Sequence, residues 1–396
     1  MWPTLFNIPY LNMPVRGYGL MLMIAFLGGT WWATRRAMRV KADPDLVVNL
    51  GFIALLFSVI GARTFYVVHY WERFAGQGLW KILDVTAGGL EFYGGFIGAF
   101  VAGVAYLLMK RASVRLYADI LAPSLMFGMG AARIGCFLNG CCWGGPCPAT
   151  LPWAVRFPYA SAAQYRQWEE RMMTLPAELI VLHTSGIAYP LSREVVGTSR
   201  PERDSLLQTW QEAKDRLEAA EMQHADEETR ARLQQELQQA VTAIGQHKAQ
   251  LDPLTIQSVK FGVSPEAIDV RASQPEYQSV HVHPVQLYAS INGFVLAVLL
   301  NAVFHRRRRH GMVFGLLLLL YPFCRIVEEI VRIDNPHDMA GLTASQFVSV
   351  VLLVSGVLWL WAIGRMPLRS PRAVPWVPPA EPEPSRAASP SPKKRK

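Results

Sequence analysis

Long apolar runs alternate with short basic clusters along this chain. Seven runs stand out, at 17–34, 49–68, 90–109, 117–137, 286–304, 311–331 and 346–364. Each approaches the ~20 residues that a helix needs to cross a bilayer. The fourth contains Asp119 and Arg133, and the sixth ends on Arg325, Glu328 and Glu329. Residues 138–285, between the fourth run and the fifth, are too polar to cross. Within them apolar residues recur at helical spacing: Leu206, Trp210, Ala213 and Leu217, then Leu233, Leu237, Ala240 and Ile244. That periodicity predicts one long helix, or two helices in a hairpin with Asp226 capping the second. Its charge pattern is that of a solvated spacer.

The basic clusters set an orientation. Arg35–Lys41 follows the first run instead of preceding it, so the run is not a cleavable signal peptide, and the rule that basic loops stay inside puts the N-terminus outside. Seven crossings then place Lys110–Arg115, Arg306–Arg309 and Arg365–Arg372 on the cytoplasmic side as well. The expectation is an all-α polytopic membrane protein with about seven transmembrane helices, N-terminus outside and C-terminus cytoplasmic, with an inserted, largely helical extracytoplasmic region. Four segments follow: 1–150 with helices one to four; 151–282 outside the membrane, including helical segment 203–250; 283–366 with helices five to seven; and 367–396, a Pro-, Ser- and Ala-rich disordered cytoplasmic tail.

Composition agrees. The chain is 51% hydrophobic and only 17% charged, against about 25% charged in soluble domains. The net charge of +9 lies largely in the clusters beside apolar runs, which argues for topology and against nucleic-acid binding.

Ionisable groups within membrane segments are costly and tend to be paired and functional. In "YPFCRIVEEIVR" (321–332), Tyr321, Arg325, Glu329 and Arg332 share one helix face. Two guanidiniums facing a cavity suit a phosphate, because the planar fork matches its oxygens; a salt-bridge network that only holds the bundle together is the alternative. In "ARIGCFLNGCCWGGPC" (132–147), Arg133 and Asn139 precede a glycine-rich turn whose N–H groups could approach an anion. In "AGGLEFYGGFIGAF", Gly88–Gly89 and Gly94–Gly95 bracket Glu91 and Tyr93, which suits either close helix packing or a mobile site lining. His283, Gln286 and Tyr288 open the fifth run. All four constellations fall on the outer membrane face, a convergence that outweighs any one of them.

Taken in order, "VRGYGLMLMIAF", "GGLEFYGG", "ARIGCFLNGCCWG", "HPVQLY" and "YPFCRIVEEIVR" resemble the successive motifs of the bacterial prolipoprotein diacylglyceryl transferases, over roughly residues 14–160 and 280–365. The resemblance implies a seven-span enzyme of the bacterial inner membrane, with its active site toward the outer leaflet and periplasm. It implies transfer of the diacylglyceryl group from phosphatidylglycerol to the lipobox cysteine thiol of preprolipoprotein signal peptides. A thioether forms and glycerol phosphate leaves, the first step of lipoprotein maturation. Membrane lipids are the other expected partners, with no nucleic acid, no cofactor and no metal. Carried over residue by residue, Arg133, Arg325, Tyr93 and Tyr321 match the catalytic group. Arg133 again, with Asn139, Gly144, Tyr18, Glu329, Arg332, His283 and Gln286, matches the substrate-binding group. Tyr93 or Glu91 could receive the thiol proton.

This chain departs from the family pattern at four places. Some members carry histidine where Tyr93 stands. The signature usually carries Asn and Glu where this chain has Cys136 and Cys141, and Ala289 replaces a common Glu. The insert 165–275 is longer than the family leads one to expect. Two other readings compete. A membrane thiol–disulfide oxidoreductase could use Cys136, Cys141, Cys142 and Cys147, although the C-x-x-C pair of a redox relay is missing; a Cys141–Cys147 bridge or free thiols would be the structural account. An anionic-solute transporter would call for an internal repeat, and none is visible.

Overall fold

Each of the seven apolar runs is helical. A computed structural model describes residues 4–8, 13–76, 78–85, 88–182, 188–191, 201–222, 226–246, 257–258, 260–332 and 341–377. The end of the proposed tail, 378–396, lies outside the described residues. Strands β1 (Thr4–Ile8) and β2 (Met13–Arg16) form an antiparallel hairpin. Helices α1 (Gly17–Arg39), α2 (Pro44–His69), α3 (Trp71–Phe74), α4 (Leu79–Leu83), α5 (Phe92–Met109) and α6 (Val114–Asn139) follow. Next come α7 (Ala162–Glu169), a 3-10 turn Ala177–Leu179, and the antiparallel pair β3 (Ile180–Leu182) and β4 (Ala188–Pro190). Then follow α8 (Pro201–Met222), α9 (Glu227–Gln246) and α10 (Pro265–Ala272). Helices α11 (Val285–Arg306), α12 (Met312–Ile330) and α13 (Ala344–Gly364) complete the order. The short strands were not legible as alternation in the sequence.

Five of these helices, α2, α5, α6, α11 and α13, are long and apolar enough to cross a membrane by length and composition. Their exposed side chains are apolar: Phe52, Leu56 and Ile60 on α2; Phe96 and Phe100 on α5; Val354, Leu358 and Trp361 on α13. Surfaces of this kind on helices whose backbone is internally bonded belong in hydrocarbon. The protein is an all-α polytopic membrane protein.

The chain divides into two compact units. One comprises Met23–Gly130, Asn292–Phe323 and Val348–Lys396. In it α2 and α5 pack backbone to backbone through glycines. A Cβ on Gly61 would overlap Gly94 O, one on Gly94 would overlap the Phe65 side chain, and one on Gly98 would lie 2.5 Å from Phe57 O. Close helix packing is therefore what Gly94–Gly95 provide, the first of the two accounts the sequence left open. Three buried charges are satisfied locally. Arg36 bonds Ile120 O, Asn301 Oδ1 and Ser124 Oγ. Asp119 accepts from the Gly311 and Phe314 N–H groups and pairs with Arg307 at 3.1 Å.

The other unit comprises Met1–Leu22, Ala131–Ile291 and Cys324–Phe347. Its polar part has its own small core. Tyr159, Leu175, Leu179, Val181, Leu191, Ile268 and Ala272 pack together, and Phe157, Ala163 and Val282 form a second cluster with Trp143 against it. The helical insert is a hairpin, not one long helix. Trp210 of α8 packs on Ala240 of α9, flanked by Leu206 and Leu237, and Arg216 pairs with Glu236 at 3.4 Å. Asp226 caps α9 as its spacing predicts, accepting from Thr229 N at 3.2 Å and Thr229 Oγ1 at 2.7 Å. The Ile244 side chain lies outside the described residues.

Candidate active site

Arg133 sits in the last two turns of α6, half-buried. Among the described residues no hydrogen bond or ion pair holds its guanidinium. Its charge reaches Tyr18, at the start of α1, and Cys142. Gly135, two residues along, lets Tyr18 and Met21 approach α6: a Cβ there would lie 3.1 Å from both side chains. Asn139 ends the helix with its side chain exposed.

The turn after α6 is held by backbone pairing. Gly144 N donates to His283 O at 3.0 Å, Gly145 N to Val331 O at 2.9 Å, and His283 N to Gly145 O at 3.0 Å. Gly140 N and Cys141 N donate to Phe137 O and Cys136 O. These N–H groups are engaged within the protein, so the glycines serve close approach and not the anion-facing N–H cradle that the sequence suggested. At Gly144 a Cβ would overlap Val285 and lie 2.8 Å from His283 O, so only glycine fits. Gln286 is fully buried and its Nε2 donates to Cys141 O at 2.8 Å. It positions the turn instead of reaching outward. His283 Nδ1 lies 3.3 Å from Tyr288 Oη.

The cysteines do not behave as a set of four. None of the five in the chain is in a disulfide. The Sγ atoms of Cys136, Cys141 and Cys142 lie within 4.8 Å of one another, a group that does not include Cys147. Hydrogen bonds from the Cys136 and Cys141 thiols, with Arg133 and Arg332 nearby, hold the Cys142 thiol below its ordinary range against the opposing effect of burial.

On α12 the expected face forms. Arg325 Nη2 pairs with Glu329 Oε2 at 2.8 Å and donates to Ser345 Oγ at 3.1 Å. Arg332 Nε lies 4.0 Å from the same carboxylate oxygen, and Thr343 Oγ1 donates to Glu329 Oε1 at 2.9 Å. Glu328 reaches Arg325 Nη1 at 3.7 Å. Glu329 thus spends its charge on Arg325 first, as helical spacing implies.

Tyr93 and Tyr321 belong to the unit that contains α2 and α5. Tyr93 is half-buried in the first turn of α5, edge-on to Phe92. The segment leading to it is clamped by a residue that sequence reading passed over. Arg63, buried near the end of α2, donates to Ile82 O and Lys81 O at 2.7 Å, Gly88 O at 2.8 Å and Gly89 O at 3.1 Å. A second overlooked residue is His69, the last of α2. Its Nδ1 lies 2.6 Å from Glu91 Oε1, and its ring stacks on Tyr70 at 4.5 Å between centroids. An arginine inside an apolar run was the available signal for the first; nothing in the sequence signalled the pairing of the second.

A family model described as "Prolipoprotein diacylglyceryl transferase" matches residues 3–362. A phosphatidylglycerol–prolipoprotein diacylglyceryl transferase of Rhodopirellula baltica is 26% identical over 379 residues, spanning 88% of this chain and 72% of that protein. One of Erwinia tasmaniensis is 30% identical over 214 residues, 50% of this chain and 72% of that protein. One of Escherichia coli is 26% identical over 377 residues, 92% and 94% of the two chains. These matches lend no support to the oxidoreductase or transporter readings. With a match this long over the helices that carry Arg133 and Arg325, the chain belongs to the prolipoprotein diacylglyceryl transferase family.

Proposed function

We infer that this protein moves the diacylglyceryl group of phosphatidylglycerol onto the lipobox cysteine thiol of a preprolipoprotein, at the outer leaflet of a bacterial inner membrane. The observation that carries the reading is Arg133: a guanidinium near the end of a membrane helix, half-buried, with no hydrogen bond or ion pair among the described residues. A guanidinium kept unpaired in that setting is available to a bidentate anion such as a phosphodiester. Arg325, held rigidly by Glu329 and Ser345, contributes a second positive charge on the same unit. Tyr18, Asn139 and Arg332 complete the headgroup side. Glu329, Gln286, His283 and Gly144 hold the arginines and the turn in place.

The step breaks the bond between the glyceryl carbon and the phosphate oxygen and forms a carbon–sulfur bond. The electron pair leaves with the glycerol phosphate, whose charge the arginines offset as it develops. The attacking thiol must lose its proton, because the thiolate is the nucleophile. A positive site favours the thiolate without a dedicated base, and the proton passes to water.

The experiment is rescue of a strain depleted of its own diacylglyceryl transferase, paired with transfer from labelled phosphatidylglycerol to a lipobox peptide. Wild type should do both. Arg133→Ala should do neither. Rescue by Arg133→Ala at the wild-type level would sink the headgroup assignment.

A further inference from the structure

The transfer chemistry has no use for three thiols brought to one point. Cys136 lies in the last turn of α6, and Cys141 and Cys142 follow two and three residues past its end. The turn that folds them together is built. Cys141 N donates to Cys136 O at 3.1 Å, and Cys141 O accepts from the fully buried Gln286 at 2.8 Å. Cys142 is held at φ +58, a backbone region that non-glycine residues adopt at a cost and that recurs at functional sites. All three side chains are half-buried and none is bridged.

Three convergent thiols are the donor set of a soft cation. Zinc–sulfur bonds of about 2.3 Å put the sulfurs of one site roughly 3.8 Å apart. The observed upper separation of 4.8 Å therefore needs a closure of about 1 Å, within reach of side-chain rotation. We infer that Cys136, Cys141 and Cys142 form a site for one thiophilic d10 cation, zinc(II) or copper(I), and that filling it opposes capture of an anion at Arg133. Binding requires all three sulfurs as thiolates, and any protons they carry are released. The complex then carries a net negative charge with either cation. Its charged neighbours are Arg133 and Arg332, so the complex competes with a phosphodiester for the Arg133 guanidinium. This second clause rests on the headgroup reading of Arg133; the first does not.

The test uses the full chain, reduced and chelator-treated, in detergent micelles. Zinc(II) alone is titrated by equilibrium dialysis, and cadmium(II) serves as an absorbing reporter of thiolate coordination. One ion per chain is expected, with thiolate-to-metal absorption. Affinity should fall at least tenfold in Cys136→Ser, Cys141→Ser and Cys142→Ser and should hold in Cys147→Ser. Should a serine variant misfold, maleimide labelling of wild type decides: a bound ion should shield three thiols together. Substoichiometric binding, or no shielding, overturns the site. In the transfer assay zinc should lower the rate and a chelator should restore it; a rate indifferent to a bound ion overturns the inhibitory clause. Metal-free protein that binds zinc but never transfers from phosphatidylglycerol would instead refute the proposed function and leave the metal site standing.

Discussion

Glu329 Oε2 lies 2.8 Å from Arg325 Nη2, with the carboxylate 1% exposed and the guanidinium 10%. Neither charge has solvent to fall back on. Removing one partner of such a pair leaves the other uncompensated, at a cost of about 3–5 kcal/mol. Glu329→Ala should therefore lower the thermal unfolding midpoint in detergent markedly. Glu328→Ala should lower it less, because its oxygen stands 3.7 Å from Arg325. Equal midpoints for the two variants would contradict the pairing.

Arg133 predicts the opposite separation of effects. No hydrogen bond or ion pair among the described residues engages its guanidinium, so Arg133→Ala should leave the unfolding midpoint near that of wild type. Transfer should fall about 100-fold or more, the usual cost of losing one donor to developing negative charge. Arg133→Lys should not rescue it, since an ammonium cannot reproduce the bidentate fork.

The glycine seam between α2 and α5 gives a graded test of packing. Gly61→Leu and Gly94→Leu place atoms where backbone and Phe65 already stand. Overpacking of this kind costs about 1–3 kcal/mol, more where backbone must move. Gly103→Ala should be tolerated, because its Cβ would rest 3.6 Å from Leu50 Cδ2 in ordinary contact. Unfolding midpoints of the three variants would rank them.

His310 supplies a pH dependence. Burial, with Arg307, Arg115 and Arg369 adding repulsion, lowers it from 6.5 to about 4. Its Nδ1 accepts from Ser370 N at 3.2 Å, which the neutral ring allows. The folded value lies below the unfolded one, so the unfolded chain binds the proton more readily. The contribution is complete above pH 6.5 and is lost as pH falls toward about 4. His310→Gln should keep the acceptor and lose this dependence. Stability curves of the two proteins should diverge across that window and run parallel above it.

The seven helices, their basic flanks and the shared face of Arg325, Glu329 and Arg332 were legible in the sequence alone. Each is a local property: a helix's period sets which residues i, i+3 and i+4 meet, and apolar length sets what a helix can span. The Asp226 cap is local in the same sense. The glycine-rich turn shows where that legibility ends. Its residue types suit an anion cradle, yet its N–H groups are spent on His283, Val331 and Cys136. Only tertiary structure could decide this, because Gln286 bonds Cys141 across 145 residues and Gly144 meets a strand-like segment from another part of the chain. The same holds for Arg63 gathering four carbonyls, His69 meeting Glu91, and three cysteines converging while Cys147 stays apart. Such contacts depend on how packed elements bring distant residues together, and no local spacing carries that information.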